Sequence, residues 1–387
     1  MYVRSSVGPE LEAISVLHVL EATLGGTRRY VSDIVDANVG LKMGLAYSVE
    51  RADVQFPELL VRARVHGWAT YEVPMVRSIK PVTDISCLLA LRRAMVAFKP
   101  DVVHAHSSKA GALSRIVART LKKRPSVVYS PHSIASGLGV AYRFIENGLA
   151  TVTERFIAVS KSERSQLLAL GLAPQSQIDV VHPVVDGRYF EPKSEAAAKA
   201  ALGLTGATVL LGIGRLSDQK NPFDFFEIAA RVRAAVPGTK ALWVGDGELR
   251  GALEKRIAAE NASSWFEILG WRADVRSYIA AADLVISASR YESFGYATVE
   301  ALAMERPVIA SNVLGTRDIM LDDLSKMMYA PKDTRAAVEL CISALRLRQH
   351  TAEIVRKGRI ALLKRYSSDA LRLDLTRSYQ LAAEPHL

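Results

Sequence analysis

Short apolar runs alternate with longer segments of helical period along nearly the whole chain, and this commits the sequence to parallel sheets flanked by helices. A parallel strand is covered on both faces, so it reads as a near-continuous apolar run rather than an alternating one. Residues 14–20 (ISVLHVL), 101–105, 127–130, 156–159 and 178–181 fit that description in the first half. A polar, Ala-rich stretch at 191–206 then interrupts the pattern and reads as a linker with a short helix. Residues 208–213, 240–244, 266–269, 284–287 and 307–310 resume it, separated by helix-favouring composition at 222–236, 248–261 and 298–304. A chain of 387 residues is too long for one ordinary core. The expected fold class is therefore α/β, with two Rossmann-like doubly wound domains at 1–190 and 207–367, the linker at 191–206 and a final helical segment at 368–387.

Composition narrows the class. Hydrophobic residues at 49% and charged residues at 23% describe a soluble globular chain. No run of about 18 apolar residues is present to span a bilayer, and residues 1–13 carry no apolar signal core, so a cytoplasmic protein is expected. Two cysteines, Cys87 and Cys341, are too few for a disulfide framework or a thiolate metal cage. The net charge is +10, and residues 1–190 hold 23 Lys and Arg against 16 Asp and Glu, or +7, which leaves +3 for the rest. The basic residues Arg92, Arg93, Lys122, Lys123 and Arg124 follow no zinc-finger spacing or aromatic ribonucleoprotein pattern, so nucleic acid is not expected as a partner. Anionic lipid headgroups suit the same charge, at about 1 kcal/mol per well-placed basic residue; a solvated basic surface is the plainer alternative.

In doubly wound sheets ligands bind beyond the carboxyl ends of the strands, so residues just after each strand carry the most information. After the first strand, Gly25 and Gly26 open a helical segment; paired glycines let a backbone approach a phosphate, and equally they make a tight turn. Gly212-Ile213-Gly214 resembles the start of a dinucleotide fingerprint, but Ser217 stands at the third glycine position and no acidic residue ends a strand about 20 residues on, which disfavours a nicotinamide enzyme. The same loop carries Arg215 and Lys220 ahead of Pro222. Arg is a bidentate partner for phosphate oxygens and Lys a point charge, so the two could hold a departing diphosphate, or be two solvated cations. Gly245 sits in a second strand-to-helix turn, where Asp246 reads as a helix cap. Gly270-Trp271-Arg272 could contact a nucleobase, or Trp271 could pack at an edge. Finally, residues 292–300 (ESFGYATVE) place two carboxylates eight positions apart. In a helix that spacing separates their backbones by about 12 Å, whereas a retaining glycosidase needs carboxyl groups about 5 to 5.5 Å apart. They do not read as an acid/base pair. Glu292 in a loop and Glu300 on a helix, with the amides of 293–295 between them, read instead as two grips on one long hydroxylated, phosphorylated ligand.

At this point the chain resembles the retaining family 4 glycosyltransferases of GT-B architecture, of the bacterial surface-polysaccharide type. The likeness is strongest across 212–318, where GRLSDQKNP, VGDGELR, LGW and YESFGYATVEALAMERPVIAS occur in family order. It implies that Glu292 contacts donor-sugar hydroxyls, Glu300 the ribose, and Arg215 with Lys220 the donor diphosphate. The Phe294 and Gly295 backbone would meet sugar or phosphate, with Gly214, Gly245 and Trp271 around the nucleotide. In the first domain it implies that Gly25 and Gly26 lie near the donor phosphates and His132 near the reacting sugar; the residues themselves leave a buried strand-end histidine as the alternative. His104, His106 and Lys109 would face the acceptor. The chain departs from the family pattern at Pro183-Val184-Val185-Asp186, at Leu314-Gly315-Thr316, where a Gly-Gly turn is usual, and at Asp318 in place of Glu.

The expected function is retaining transfer of a sugar from a nucleoside-diphosphate sugar to a saccharide or polyprenyl-diphosphate-linked saccharide in polysaccharide biosynthesis. The helix at 368–387 would cross back to the first of two facing domains. No Asp-x-Asp motif occurs, so neither a metal nor any other cofactor is expected. Peripheral contact with the inner face of an anionic membrane fits the basic first domain. A nucleotide-sugar epimerase of the same architecture and a non-catalytic sugar-nucleotide-binding subunit are the alternatives; the first converts donor without acceptor, the second turns nothing over.

Overall fold

The computed structural model describes residues 14–132 and 140–384. Residues 1–13, Ser133 beside His132, and 385–387 at the end of the last helical segment lie outside them. The described residues form two compact units, each built on one parallel sheet.

The first sheet has seven strands: β1 Ser15–Leu20, β2 Lys42–Tyr47, β3 Ala69–Glu72, β4 Val102–His106, β5 Ser126–Ser130, β6 Arg155–Ala158 and β7 Ile178–Val180, in spatial order β3-β2-β1-β4-β5-β6-β7. The order reverses between β1 and β4, which creates the crevice where doubly wound folds bind ligands. β2 and β3 are absent from the sequence expectation. β2 reads KMGLAY, and its Gly44 lacks a side chain because a Cβ there would meet the Phe98 ring at 2.9 Å. The helix Pro81–Phe98 thus lies directly on the sheet, at the expense of an apolar signal in the strand. β3 is a half-buried edge strand whose ATYE carries little apolar pattern. The C-terminal helix Ser368–Ala383 belongs to this unit and packs Leu371, Leu375 and Tyr379 into it.

The second sheet has six strands: β8 Thr208–Ile213, β9 Thr239–Val244, β10 Phe266–Gly270, β11 Leu284–Ser287, β12 Val308–Ser311 and β13 Met328–Tyr329, in the order β10-β9-β8-β11-β12-β13. All pairings between these strands are parallel. β13, two residues at the edge, is too short to be read from sequence. The segment at 191–206 contains the expected short helix, Glu195–Ala201, capped by the Ser194 hydroxyl, which accepts from Ala197 N–H at 3.3 Å.

Candidate active site

In the second unit the loops after β8, β9 and β10 are zipped together. Gly214 N–H donates to Val244 O, Leu216 N–H to Asp246 O, and Gly245 N–H to Gly270 O, at 2.8 to 3.0 Å. Gly245 has φ 137°, and a Cβ on it would stand 1.9 Å from Gly214 O. Gly214, at φ 143°, carries the Lys220 side chain across its face, 3.0 Å from where a Cβ would be. Here both glycines serve the approach of one backbone to another and the passage of a lysine stem. Any contact with a nucleotide is additional to that.

Lys220 reaches across to Glu292, 72 residues away in sequence, and their Nζ and Oε1 atoms form an ion pair. The carboxylate is 7% exposed and also accepts from Ser289 Oγ at 2.7 Å. Asn221, at φ 51°, turns the chain into the helix Pro222–Ala235 immediately behind Lys220 and so fixes where the lysine starts. Arg215 points outward and pairs with Glu248 at 3.0 Å; both are more than half exposed. An ion pair this exposed is worth at most about 1 kcal/mol and exchanges readily for another anion.

Glu292 lies in a loop and Glu300 on the helix Tyr296–Ala303, the division of places that their spacing implied. Gly295 caps that helix at φ 95°, without a side-chain cap bond. Glu300 is buried at 4%. Phe294 turns its ring into the core against Tyr296 and Tyr366, each 5.1 Å away, and Gly295 after it is buried as well. Beneath the loop lies Gly315, the retained half of the altered Gly-Gly turn. A Cβ there would meet Phe294 N and Glu292 O at 2.7 and 2.8 Å, and Gly315 N–H donates to Glu292 O at 3.0 Å. Asp318 accepts from Ser162 N–H at 2.7 Å, a partner within the same unit. Trp271 follows β10 and is half exposed.

In the first unit Gly25 and Gly26 open the helix Gly25–Ala37, with Gly25 at φ 59°. The amide of Gly25 donates to the Asp53 carboxylate at 3.0 Å, and Arg28 pairs with the same oxygen at 3.3 Å. An internal carboxylate therefore already complements this helix N-terminus. His132 follows β5 in a left-handed conformation, φ 60°, that turns its ring back toward the sheet. Its Nε2 lies 2.8 Å from His106 Nδ1, and His106 Nε2 lies 2.9 Å from His18 Nδ1. His104 bonds Tyr379 Oη and Ser130 Oγ, both at 2.8 Å.

This corrects one expectation. His104 and His106 do not face an acceptor: both are fully buried, because β4 is a central strand and the C-terminal helix covers that face. Lys109 is likewise engaged, paired with Asp84 at 2.5 Å and donating to Ser78 O at 3.2 Å. Burial lowers the pKa of His18 and of His132 from the usual 6.5 to about 3, and holds His104 and His106 well below it, with the neighbouring histidines adding to the effect. All four are neutral at pH 7. Among the described residues His18, His104 and His106 bring ring nitrogens within 4.8 Å of one another, as a metal set would.

The first unit also carries an open cleft of about 460 Å³ lined by Glu50, Arg51, Val76, Arg77 and Ser78, beyond the ends of β2 and β3. The helix Pro81–Phe98 beside it exposes Val82, Ile85, Leu89 and Val96 along one stripe, flanked by exposed Arg92 and Arg93. Ile79, in the loop before it, is 78% exposed. Among the described residues no helix is long and apolar enough to cross a membrane.

Two family descriptions match the chain: "Glycosyltransferase Family 4" over residues 25–188 and "Glycosyl transferases group 1" over 207–346. An Escherichia coli protein, UDP-Gal:alpha-D-GlcNAc-diphosphoundecaprenol alpha-1,3-galactosyltransferase, is 29% identical over 67% of this chain and 70% of its own length. A D-inositol 3-phosphate glycosyltransferase of Segniliparus rotundus is 29% identical over 74% of this chain and 67% of its own. Among solved structures, Anabaena Alr3699/HepE in complex with UDP and glucose superposes with a TM-score of 0.81 at 18% identity, covering 95% of this chain and 99% of that one. That likeness gives the fold, two Rossmann-like domains of GT-B type.

Proposed function

We propose a specific reaction for this chain, which belongs to the family 4 glycosyltransferases and transfers sugar from a nucleoside-diphosphate sugar: retaining transfer from a UDP-sugar to a saccharide carried on a lipid diphosphate. The observation that carries it is the Lys220–Glu292 pair. A lysine suited to phosphate and a carboxylate suited to sugar hydroxyls come from loops after two different strands and share one point. A diphosphate-linked sugar presents an anion and hydroxyls within a few ångströms, so it can take over both halves of the pair. Arg215, held only by an exposed pair, supplies the second positive charge as the diphosphate leaves. The acceptor hydroxyl attacks from the face the leaving group departs, and the leaving phosphate oxygen takes its proton. Atoms balance: the anomeric carbon–oxygen bond to phosphate breaks, the bond to acceptor oxygen forms, and the nucleoside diphosphate carries the proton away.

Glu300 binds the ribose, and the 293–295 backbone with the N-terminus of the helix Tyr296–Ala303 faces the phosphates. To His132 and the Gly25–Gly26 turn of the first unit we assign the roles that the family resemblance implies, toward the sugar and the phosphates. Uridine as the base is supported by the E. coli relative's UDP-Gal donor and by the UDP bound to the Anabaena protein. The diphosphate-lipid acceptor is supported by the same E. coli relative and by the cleft lined with Arg51 and Arg77. The apolar stripe and arginines of the helix Pro81–Phe98 suit the headgroup region of an anionic membrane on its cytoplasmic side, which holds the protein near such an acceptor. The two cations do the work a divalent ion does elsewhere, so the reaction proceeds without one.

A thermal-shift series with UDP, GDP, dTDP and ADP sugars tests the donor. A ligand at 100 times its Kd stabilises by about 2.7 kcal/mol, and UDP sugars alone should give that response, unchanged in EDTA. A GDP sugar giving the response, or EDTA abolishing transfer until magnesium or manganese is restored, rejects the corresponding half.

A further inference from the structure

The histidines of the first unit are arranged as a chain. His18 on β1 and His104 on β4 are register partners, and His106 follows two residues on, so all three side chains share one sheet face. An imidazole nitrogen sits about 1.1 Å from its ring centre, so two rings joined end to end by a hydrogen bond of ordinary length have centres about 5 Å apart. The centres of His18 and His106 are 5.2 Å apart with planes 13° from parallel, and those of His106 and His132 are 5.1 Å apart at 20°. Each nitrogen in these two bonds therefore points straight at the next one. That alignment belongs to a hydrogen bond between imidazoles. A shared tetrahedral ion at about 2.0 to 2.1 Å from each nitrogen would hold the two lone pairs at an angle. His104 lies beside the chain, bonded at both its nitrogens to Ser130 and Tyr379.

We infer that His18, His106 and His132 form one imidazole wire that fixes His132 in a single tautomer, with its proton on Nδ1, so that His106 and His18 are positioning residues for His132. The functional consequence rests on the proposed place of His132 at the reacting sugar; the tautomer does not. The three rings are neutral, so each holds one proton, and the protons can only run all one way or all the other. The inner end decides which. His18 Nε2 is buried, stacked against Trp68, and has no hydrogen-bond partner among the described residues. An orphaned buried N–H is the rarer defect in proteins, and an under-satisfied acceptor the more tolerated one. With His18 Nε2 bare, His18 Nδ1–H donates to His106 Nε2 and His106 Nδ1–H donates to His132 Nε2. His132 must then carry its proton on Nδ1. It is a neutral hydrogen-bond donor, suited to a sugar oxygen and unsuited to removing a proton. The left-handed backbone at His132 is the strain that brings its ring into line with the wire.

The test is heteronuclear NMR of the full chain with its eight histidines labelled in the ring, assigned by single substitutions, together with transfer kinetics. At pH 7.5 His18, His106 and His132 should each show a protonated Nδ1 and a bare Nε2. In His106→Leu the His132 ring should move to the Nε2–H tautomer and kcat should fall about tenfold, with donor KM changed by less than about twofold. His106→Asn, whose amide N–H can donate where Nδ1–H did, should recover both the tautomer and most of kcat. A protonated Nε2 on His132 in the unsubstituted protein overturns the wire, and that reading needs no variant to fold. One equivalent of tightly held zinc, lost in His106→Leu, overturns it in favour of a metal set. If the tautomers are as stated but His132→Leu turns over normally, the place of His132 at the sugar is wrong and the positioning role falls with it.

Discussion

Lys220 and Glu292 each satisfy a charge that would be expensive to leave alone in a partly buried site. On the proposed reading a donor takes both over, with phosphate replacing the carboxylate on the lysine and sugar hydroxyls replacing the lysine on the carboxylate. Replacing Lys220 by Ala should therefore lower kcat by about 10²- to 10³-fold, the usual cost of removing one stabiliser of developing negative charge. Arg215→Ala should lower kcat less, because its charge is more exposed and better screened. Steady-state kinetics with circular dichroism as the folding control checks this; near-normal turnover in Lys220→Ala removes the lysine from the mechanism. The residue types at 215, 220, 292 and 300 were legible in the sequence because cations and carboxylates after strand ends have few other uses. Their pairing was not, since Lys220 and Glu292 are 72 positions apart and only the β8 and β11 loops bring them together. The histidines were misjudged for a related reason. The DVVHAH pattern puts His104 and His106 on one face, but nothing local says that Tyr379, 275 positions from His104, covers it.

At the scale of elements, the strand-end loops of the second unit are held by glycines used for close approach, with Gly245 against Gly214 and Gly315 against 292–294. This is why the turn at 314–316 tolerates Leu and Thr on either side: Gly315 is the position with no room. The helix Pro81–Phe98 shows the opposite case, an element whose outer face is not covered. Its Val82, Ile85 and Leu89 are exposed at 82%, 60% and 53%, more apolar surface than a purely solvated helix carries. Substituting all three by Ser should cut binding to vesicles containing anionic lipid at least tenfold in a sedimentation assay, while turnover with a water-soluble acceptor stays at the parent level. No vesicle binding by the parent protein would reject the proposed membrane contact, and undiminished binding by the variant would reject this face of it. Helix and strand places in both units were largely readable from apolar runs. β2, β3 and β13 were not, because a glycine under Phe98, an edge position and a two-residue length each erase the apolar signal.

For the molecule as a whole, the two sheets rest on different chemistry. The first holds three fully buried histidines, His18, His104 and His106, with His132 just beyond β5, and the second is apolar at its centre. A histidine whose pKa falls from 6.5 unfolded to about 3 folded binds more protons when unfolded across that window. Stability therefore rises with pH there, is fully present above about 6.5, and is lost as pH falls toward 3, by up to about 1.4 kcal/mol per pH unit for each such histidine. His18 is faced by His104, His106, Trp68 and Tyr379, with no carboxylate among these contacts to offset its protonation. Calorimetry at pH 7.5, 6.5 and 5.5 should show the first unit's transition falling steeply below pH 6.5 and the second unit's moving much less. His18→Phe should flatten the first unit's dependence, and equal shifts in both units would mean that the histidines protonate freely in the folded state.

The claim on which the rest depends is that the phosphate end drives a transfer in which acceptor attack and diphosphate departure share one face of the sugar. Proton NMR of the product made from a nucleotide α-sugar and a diphosphate-linked saccharide acceptor reads this from the anomeric coupling of the new linkage. Same-face transfer gives an α-linked product; a β-linked product rules it out.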